Sequence, residues 1–194
     1  MKRSLKIGAA ALAVLVLLAG CRQAGDLGPS GSNYTSSDGT MTEFPPDSRG
    51  EPIEFAGVTE TGVTVTSDQY RGNVLVVNFW YATCPPCRLE APWLEEMNQK
   101  YSPDGVQFLG VNIRDGAETA LAFAESFGVT YPSIVDTDGQ VALAFSGIAS
   151  PAAVPTTVVF DRDGRPAARI VGLIGVTTLE SMIENVLAET ASVE

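Results

Sequence analysis

Cys84 and Cys87 stand three residues apart with Pro85 and Pro86 between them, in a chain with one further cysteine and no histidine. The run before the pair, Asn73-Val74-Leu75-Val76-Val77-Asn78-Phe79-Trp80, is continuous, β-branched and aromatic, and predicts a buried strand. The run after it, Arg88 to Met97, spaces its apolar residues as a helix does. A thiol at such a junction meets unpaired amide N–H groups and the positive end of the helix dipole, and both favour thiolate. A thiol of pKa about 8.5 is roughly 3% ionised at pH 7, whereas one lowered to about 6.5 is roughly 75% ionised. This spacing therefore points to thiol–disulfide chemistry at a redox pair, Cys84 and Cys87.

Two quieter readings compete with it. A structural zinc site takes four Cys or His ligands, which three cysteines without histidine cannot supply. The same shortage leaves no ligand set for zinc or heme, so no metal or cofactor is expected. A purely structural disulfide between Cys84 and Cys87 would close a very short loop, restrict the unfolded chain little and make a poor staple.

The N-terminus speaks to compartment. Met1 to Lys6 is basic, and Ile7 to Ala19 is almost wholly apolar but short for a membrane span, as in the hydrophobic region of a secretory signal. It ends in Leu18-Ala19-Gly20-Cys21, which resembles the lipobox of bacterial lipoproteins. The resemblance implies a signal peptide over 1–20, cleavage before Cys21, and lipid attachment at Cys21. An ordinary signal or an anchor helix is the alternative. Cleavage removes three cations, Lys2, Arg3 and Lys6, and takes the net charge from -11 to -14. So acidic a surface argues against nucleic acid and against electrostatic attraction to anionic lipid, leaving acyl chains as the membrane contact. Residues 21–50 are rich in Gly, Ser, Thr, Pro and Asp and are expected to form the lipidated N-terminus and a flexible linker.

Residues 51–194 suffice for one domain with a core. After Val74–Trp80 and its helix, Val106 to Ile113 predicts a second buried strand, and Ala117 to Phe127 a helix stopped by Gly128. Ser133–Val135 predicts a brief strand, followed by a short helix through Phe145. Thr156–Asp161 and Ala167–Val171 form a hairpin about Asp163-Gly164, and Thr177 to Ala188 a closing amphipathic helix. Strands alternating with helices, then a hairpin and a helix, indicate an α/β fold with a mixed sheet.

The segment Val77-Asn78-Phe79-Trp80-Tyr81-Ala82-Thr83-Cys84-Pro85-Pro86-Cys87-Arg88 resembles the active-site segment of thioredoxin-fold proteins of the TlpA/ResA type. Val154-Pro155-Thr156-Thr157-Val158-Val159-Phe160-Asp161 resembles that family's cis-proline segment. The resemblance implies a thioredoxin-like fold: a central mixed β-sheet flanked by helices, with an N-terminal hairpin and a βα insert. It implies that Cys84 is the exposed nucleophile and that Cys87, more buried, resolves the mixed disulfide. It further implies a cis Pro155 opposite the pair, with Val154 able to meet a substrate strand. Trp80 is expected to pack beneath the site, and Phe79 and Trp93 to belong to the core.

Departures from the family pattern matter too. Thr83 stands where many relatives carry tryptophan. Asn78 stands where thioredoxins carry a buried acid, so proton uptake must pass to another residue or to water. Asp115 falls about where ResA-type relatives place a functional glutamate, and it is expected to influence the thiols, a solvated loop aspartate being the alternative. Glu90 is expected to supply favourable charge in the first turns of its helix.

These readings imply an extracytoplasmic, lipid-anchored thiol–disulfide oxidoreductase. Its partners would be protein thiols or disulfides, including apocytochrome c, and a membrane thiol donor feeding a reductase of cytochrome c maturation. An oxidase introducing disulfides into secreted proteins is the alternative within the fold. A peroxiredoxin-type peroxidase is disfavoured because Tyr81, not threonine, precedes Cys84 by three residues. A non-enzymatic binding lipoprotein is the remaining class.

Overall fold

A computed structural model of the chain describes residues 34–35, 40–150 and 153–189. The signal segment and Cys21 lie outside the described residues.

The sheet is organised around β5 (Val74–Trp80), every residue of which is buried. Alternate residues serve two cores, as the two-residue period of a strand requires. Val74 and Val76 face one cluster, and Leu75, Val77 and Phe79 the other. Seven strands run in the order β1-β2-β9-β8-β5-β6-β7. They are β1 (Tyr34–Thr35), β2 (Met41–Glu43), β9 (Pro166–Val171), β8 (Thr156–Phe160), β5, β6 (Val106–Asn112) and β7 (Ser133–Val135). β5, β6 and β7 are parallel, whereas β8 runs antiparallel to β5 and β9 antiparallel to β8. A separate hairpin, β3 (Ala56–Val58) with β4 (Thr64–Thr66), meets the edge of β7 through a bridge from Thr59 to Ile134.

Helices cover both faces. On the first, α1 (Pro85–Tyr101) contributes Leu94 and Met97, and α4 (Val176–Glu189) contributes Leu179, Met182, Ile183 and Val186. α2 (Ala117–Phe127) packs beside α1 and ends at Gly128, whose φ of 69° is the left-handed cap the sequence predicts. On the second face, α3 (Gln140–Ala144) and Phe145 close over Phe79, Phe160 and Phe55. The predicted α/β architecture with a mixed sheet is the one observed.

The expected linker needs correction at its C-terminal end. Residues 41–43 form β2, which pairs with β9, and Thr42 is buried. β9 would otherwise leave a row of backbone groups unpaired, so this mostly polar segment is held by main-chain bonding, with Met41 alone packing on the first core. Further along, the Arg49 guanidinium, 3% exposed, contacts Asp161 at 3.0 Å and Glu189 at 2.7 Å. The sheet therefore takes in residues 34–35 and 41–43, upstream of the expected boundary at 51.

Register sets the site. Trp80, last in β5, lies opposite Asn112, last in β6, while Phe79 faces Thr156, first in β8. The loop after β5 and the residues just before β8 thus meet at one end of the sheet. Gly110 allows Trp80 to lie flat there: a Cβ at that position would come 2.8 Å from the indole Nε1 and closer still to Ser133 Oγ.

Candidate active site

Cys84 is the N-cap of α1, with Pro85 and Pro86 opening the helix, where missing amide protons cost nothing and a fixed φ helps. Its Sγ accepts the Cys87 amide at 3.2 Å. The two cysteines are joined in a disulfide with their Cα atoms 5.3 Å apart. Once reduced, the Cys84 sulfur would sit at the positive end of a 17-residue helix with an amide already aimed at it, and both features favour its thiolate.

The expected contrast in exposure is not seen in this oxidised form. Cys84 is 1% exposed and Cys87 2%. Both belong to a cluster with Trp80, Ala82, Ala91, Ala120 and Phe123, against which Tyr81, Phe127, Val129 and Val154 pack. The disulfide draws Cys84 against the first turn of the helix, under this apolar cover.

Trp80 shares the cluster of the two cysteines, donating to Ser133 Oγ at 2.7 Å and packing on Phe123 with ring centroids 4.2 Å apart. Phe79 is core, but Trp93 is not: it is 36% exposed. Helical periodicity turns Cys87, Glu90, Ala91, Leu94 and Met97 inward and leaves Leu89 and Trp93 outside. The Val154–Pro155 peptide is cis, and the Pro155 carbonyl accepts the Gly172 amide at 2.8 Å. Val154 packs on the cysteine cluster. Asp115 is half-buried, and its Oδ2 accepts the Ala82 amide at 2.6 Å and the Asn112 side-chain amide at 3.1 Å. It thereby ties the end of β6 to the loop carrying Cys84.

Glu90 overturns its expected role. It is fully buried, not a surface charge. Its Oε1 accepts Asn78 Nδ2 at 2.8 Å and its Oε2 accepts the Ile174 amide at 3.2 Å. Burial pushes its carboxyl up to about 7 against the opposing pull of those two donors. Asn78 also donates to Thr157 Oγ1 at 3.1 Å, so β5, β8 and α1 share one buried polar network. The acid missing from Asn78 is supplied one helical turn beyond Cys87, on the inward face. A helical wheel through Cys87, Ala91 and Leu94 carries that signal in the sequence, since it turns Glu90 toward the same side.

Behind Cys87 lies a cavity of about 20 Å³, room for a water, lined by Cys87, Asn78, Trp80, Phe123, Tyr131 and Glu60 among others. Glu60, which the sequence did not single out, reaches it from the turn after β3 and accepts the Ser133 amide at 2.7 Å. Among the described residues no cluster of His, Cys, Asp or Glu has the arrangement of a metal site.

A buried strand, a disulfide-linked Cys-Pro-Pro-Cys pair at a helix N-terminus and a cis-proline before the next strand define a thioredoxin-like scaffold. The Redoxin family matches residues 23–187, and the chain belongs to that family, in its TlpA/ResA-like branch. The chain is 33% identical over 117 residues to the thiol-disulfide oxidoreductase ResA of Geobacillus kaustophilus, covering 60% of this chain and 65% of that protein. The match thus spans just under two thirds of that relative's length. The chain is 34% identical over 126 residues to the thiol:disulfide interchange protein HelX of Rhodobacter capsulatus, covering 64% and 67%. Among solved structures, a DsbF homologue from Corynebacterium diphtheriae superposes with a TM-score of 0.71 at 28% identity, covering 81% of this chain and 99% of that one.

Proposed function

We propose that this protein is an extracytoplasmic thiol–disulfide oxidoreductase that exchanges disulfides with protein thiols through Cys84 and Cys87. The observation that carries the reading is the Cys84–Cys87 disulfide at the start of α1, with Cys84 Sγ on the Cys87 amide and Glu90 buried one turn beyond.

In the reducing direction the Cys84 thiolate attacks a substrate disulfide. A mixed disulfide forms and one substrate sulfur leaves as thiolate. Cys87 then loses its proton and attacks Cys84 Sγ. The internal disulfide forms, the second substrate sulfur departs, and two electrons have passed to the substrate. Glu90, its carboxyl pushed up to about 7, takes up the Cys87 proton; its hydrogen-bond partner Asn78 and Cys87 both line the cavity with room for a relaying water. Asp115 and the cis Pro155 hold the two walls of the site, and Val154 meets the substrate chain. Asp115 also biases the thiols by its charge. No cofactor or metal enters this scheme.

The finer reading is a reductase of cytochrome c maturation, fed by a membrane thiol donor and acting on apocytochrome c. It draws on the relatives named ResA and HelX. The chain would be held at the cell membrane through lipid on Cys21, after removal of residues 1–20. Support for the anchor is the Leu18-Ala19-Gly20-Cys21 segment after an apolar run.

Insulin reduction by the wild type and Cys84→Ser tests the activity: turnover in the first and none in the second is expected, and turnover in neither overturns it. The reduction potential tests the direction. A value well below about -120 mV fits a reductase, and one close to it fits an oxidase.

A further inference from the structure

The loop that carries Cys84 is held between two guanidinium groups. Arg88, in the first turns of α1, donates to the Ala82 carbonyl at 3.2 Å and lies 4.9 Å over the Phe127 ring. Arg114, just after β6, lies 3.9 Å over the Tyr81 ring. Both side chains are exposed. Among the described residues neither has a carboxylate at ion-pair distance, whereas Arg49, Arg71, Lys100 and Arg165 each do. Two exposed cations without an acid at ion-pair distance thus stand beside the disulfide in a chain of net charge -11.

Their placement is one-sided. In the sheet β6 lies on one side of β5, and β8 with β9 on the other. Arg114 leaves the end of β6 and Arg88 rests on Phe127 of α2, so both belong to the β6–α2 flank. The opposite flank is built from Ala153, Val154 and Pro155 before β8 and from Gly172, Leu173 and Ile174 after β9, none of them charged. On the β6–α2 flank Asp115 has its carboxylate on the Ala82 amide and the Asn112 side chain. Glu118 and Glu125, exposed on α2, are further acids of the flank, so selection rests on the two arginines that contact the Cys84 loop and not on a net positive face. The ring stacks fix the guanidinium planes and leave donor edges for a carboxylate.

We propose that Arg88 and Arg114 select protein substrates carrying an acidic residue next to the reacting cysteine, on the side of that cysteine lying over α2. This rests on Cys84–Cys87 being an exchange site. Cations near a thiolate also stabilise it, but that effect reaches every substrate equally. Attraction to a flanking carboxylate separates one substrate from another and fades as salt screens it.

The test uses the full chain, reduced, against disulfide peptides that differ only in Asp, Asn or Lys before or after one cysteine. Second-order rates are expected in the order Asp, Asn, Lys at one of the two positions. The Asp-to-Lys ratio there should be about tenfold at low salt, from two exposed charge pairs, and fall toward one in 0.5 M NaCl. Arg88→Gln with Arg114→Gln should collapse the ratio measured within that variant. Arg162→Gln, whose guanidinium donates to the Gly72 carbonyl far from the site, should keep it. A wild-type ratio near one, the reverse order, equal preference at both positions, or a ratio unchanged in the double variant overturns the proposal. The wild-type series decides the matter even if the double variant does not fold. Absence of reaction with every peptide, Asn included, instead overturns the thiol–disulfide reading itself.

Discussion

The Asn78 amide and the Glu90 carboxylate are hydrogen-bonded at 2.8 Å in the interior, one turn of helix beyond Cys87. An amide on a central strand thus orients an acid on the active-site helix. At pH 7 that acid, with its carboxyl near neutrality, is divided between charged and neutral forms, as a group that must accept and later return a proton should be.

Glu90→Gln should slow resolution of the mixed disulfide by Cys87 about 100-fold near pH 7, the usual reach of a lost general base. Rapid-quench trapping of the mixed disulfide reads this directly. The wild-type rate should rise through about pH 7 as Glu90 ionises, and that step should vanish in the variant. An unchanged profile would remove Glu90 from the proton path.

The same burial makes a stability prediction. The folded carboxyl titrates near 7 and the unfolded one near 4.5, so the folded state holds the extra proton between those values. Stability should therefore fall as pH rises through this window and stay lower above it, by on the order of 3 kcal/mol. Urea unfolding of the oxidised protein at pH 5 and pH 8 should show this loss in the wild type and little of it in Glu90→Gln. Parallel behaviour of the two proteins would contradict a buried Glu90 whose carboxyl is pushed up to about 7.

Asp115→Ala removes the acceptor of the Ala82 amide and should cost about 2 kcal/mol, typical of a hydrogen bond to a charged group. Asp115→Asn retains an acceptor oxygen and should recover part of that stability. Denaturation separates the positional role from the electrostatic one when paired with titration of the Cys84 thiol. If Asp115 also acts by its charge, the asparagine variant should lower the thiol pKa while staying folded.

Arg49 should matter far more than Lys100. Arg49→Met breaks buried contacts to Asp161 and Glu189 and should cost about 3 kcal/mol, with little response to salt. Lys100→Met breaks a more exposed pair with Glu180 and should change stability little, the small loss fading at high salt. Equilibrium unfolding at low and high ionic strength compares them; similar losses would mean that Arg49 does not fasten the N-terminal segment to the domain.

Elements that bury apolar faces were legible. The continuous run Val74–Trp80 gave a strand buried on both faces, and Gly128 marked the end of α2. β2 was hidden because Met41-Thr42-Glu43 joins the sheet by backbone pairing within a polar stretch, where side-chain pattern is silent. At the site, cysteine spacing and the Val-Pro-Thr-Thr segment located both walls. Glu90 was misjudged because composition treats an early-helix glutamate as a solvated charge, and only the wheel turns it inward. Arg88 and Arg114 carried no signal, since stacking on Phe127 and Tyr81 depends on which elements become neighbours.

The covered disulfide has a last consequence. With its cysteines 1% and 2% exposed beneath Val154, Tyr81 and Phe127, the oxidised pair offers little foothold to a small thiol diffusing past. A macromolecule that can displace the cover while it binds has an advantage that no potential measures. Electrons would then be delivered by docking rather than by equilibration with the surroundings. The pair would then keep a redox state out of balance with its medium, as an insulated wire keeps its potential.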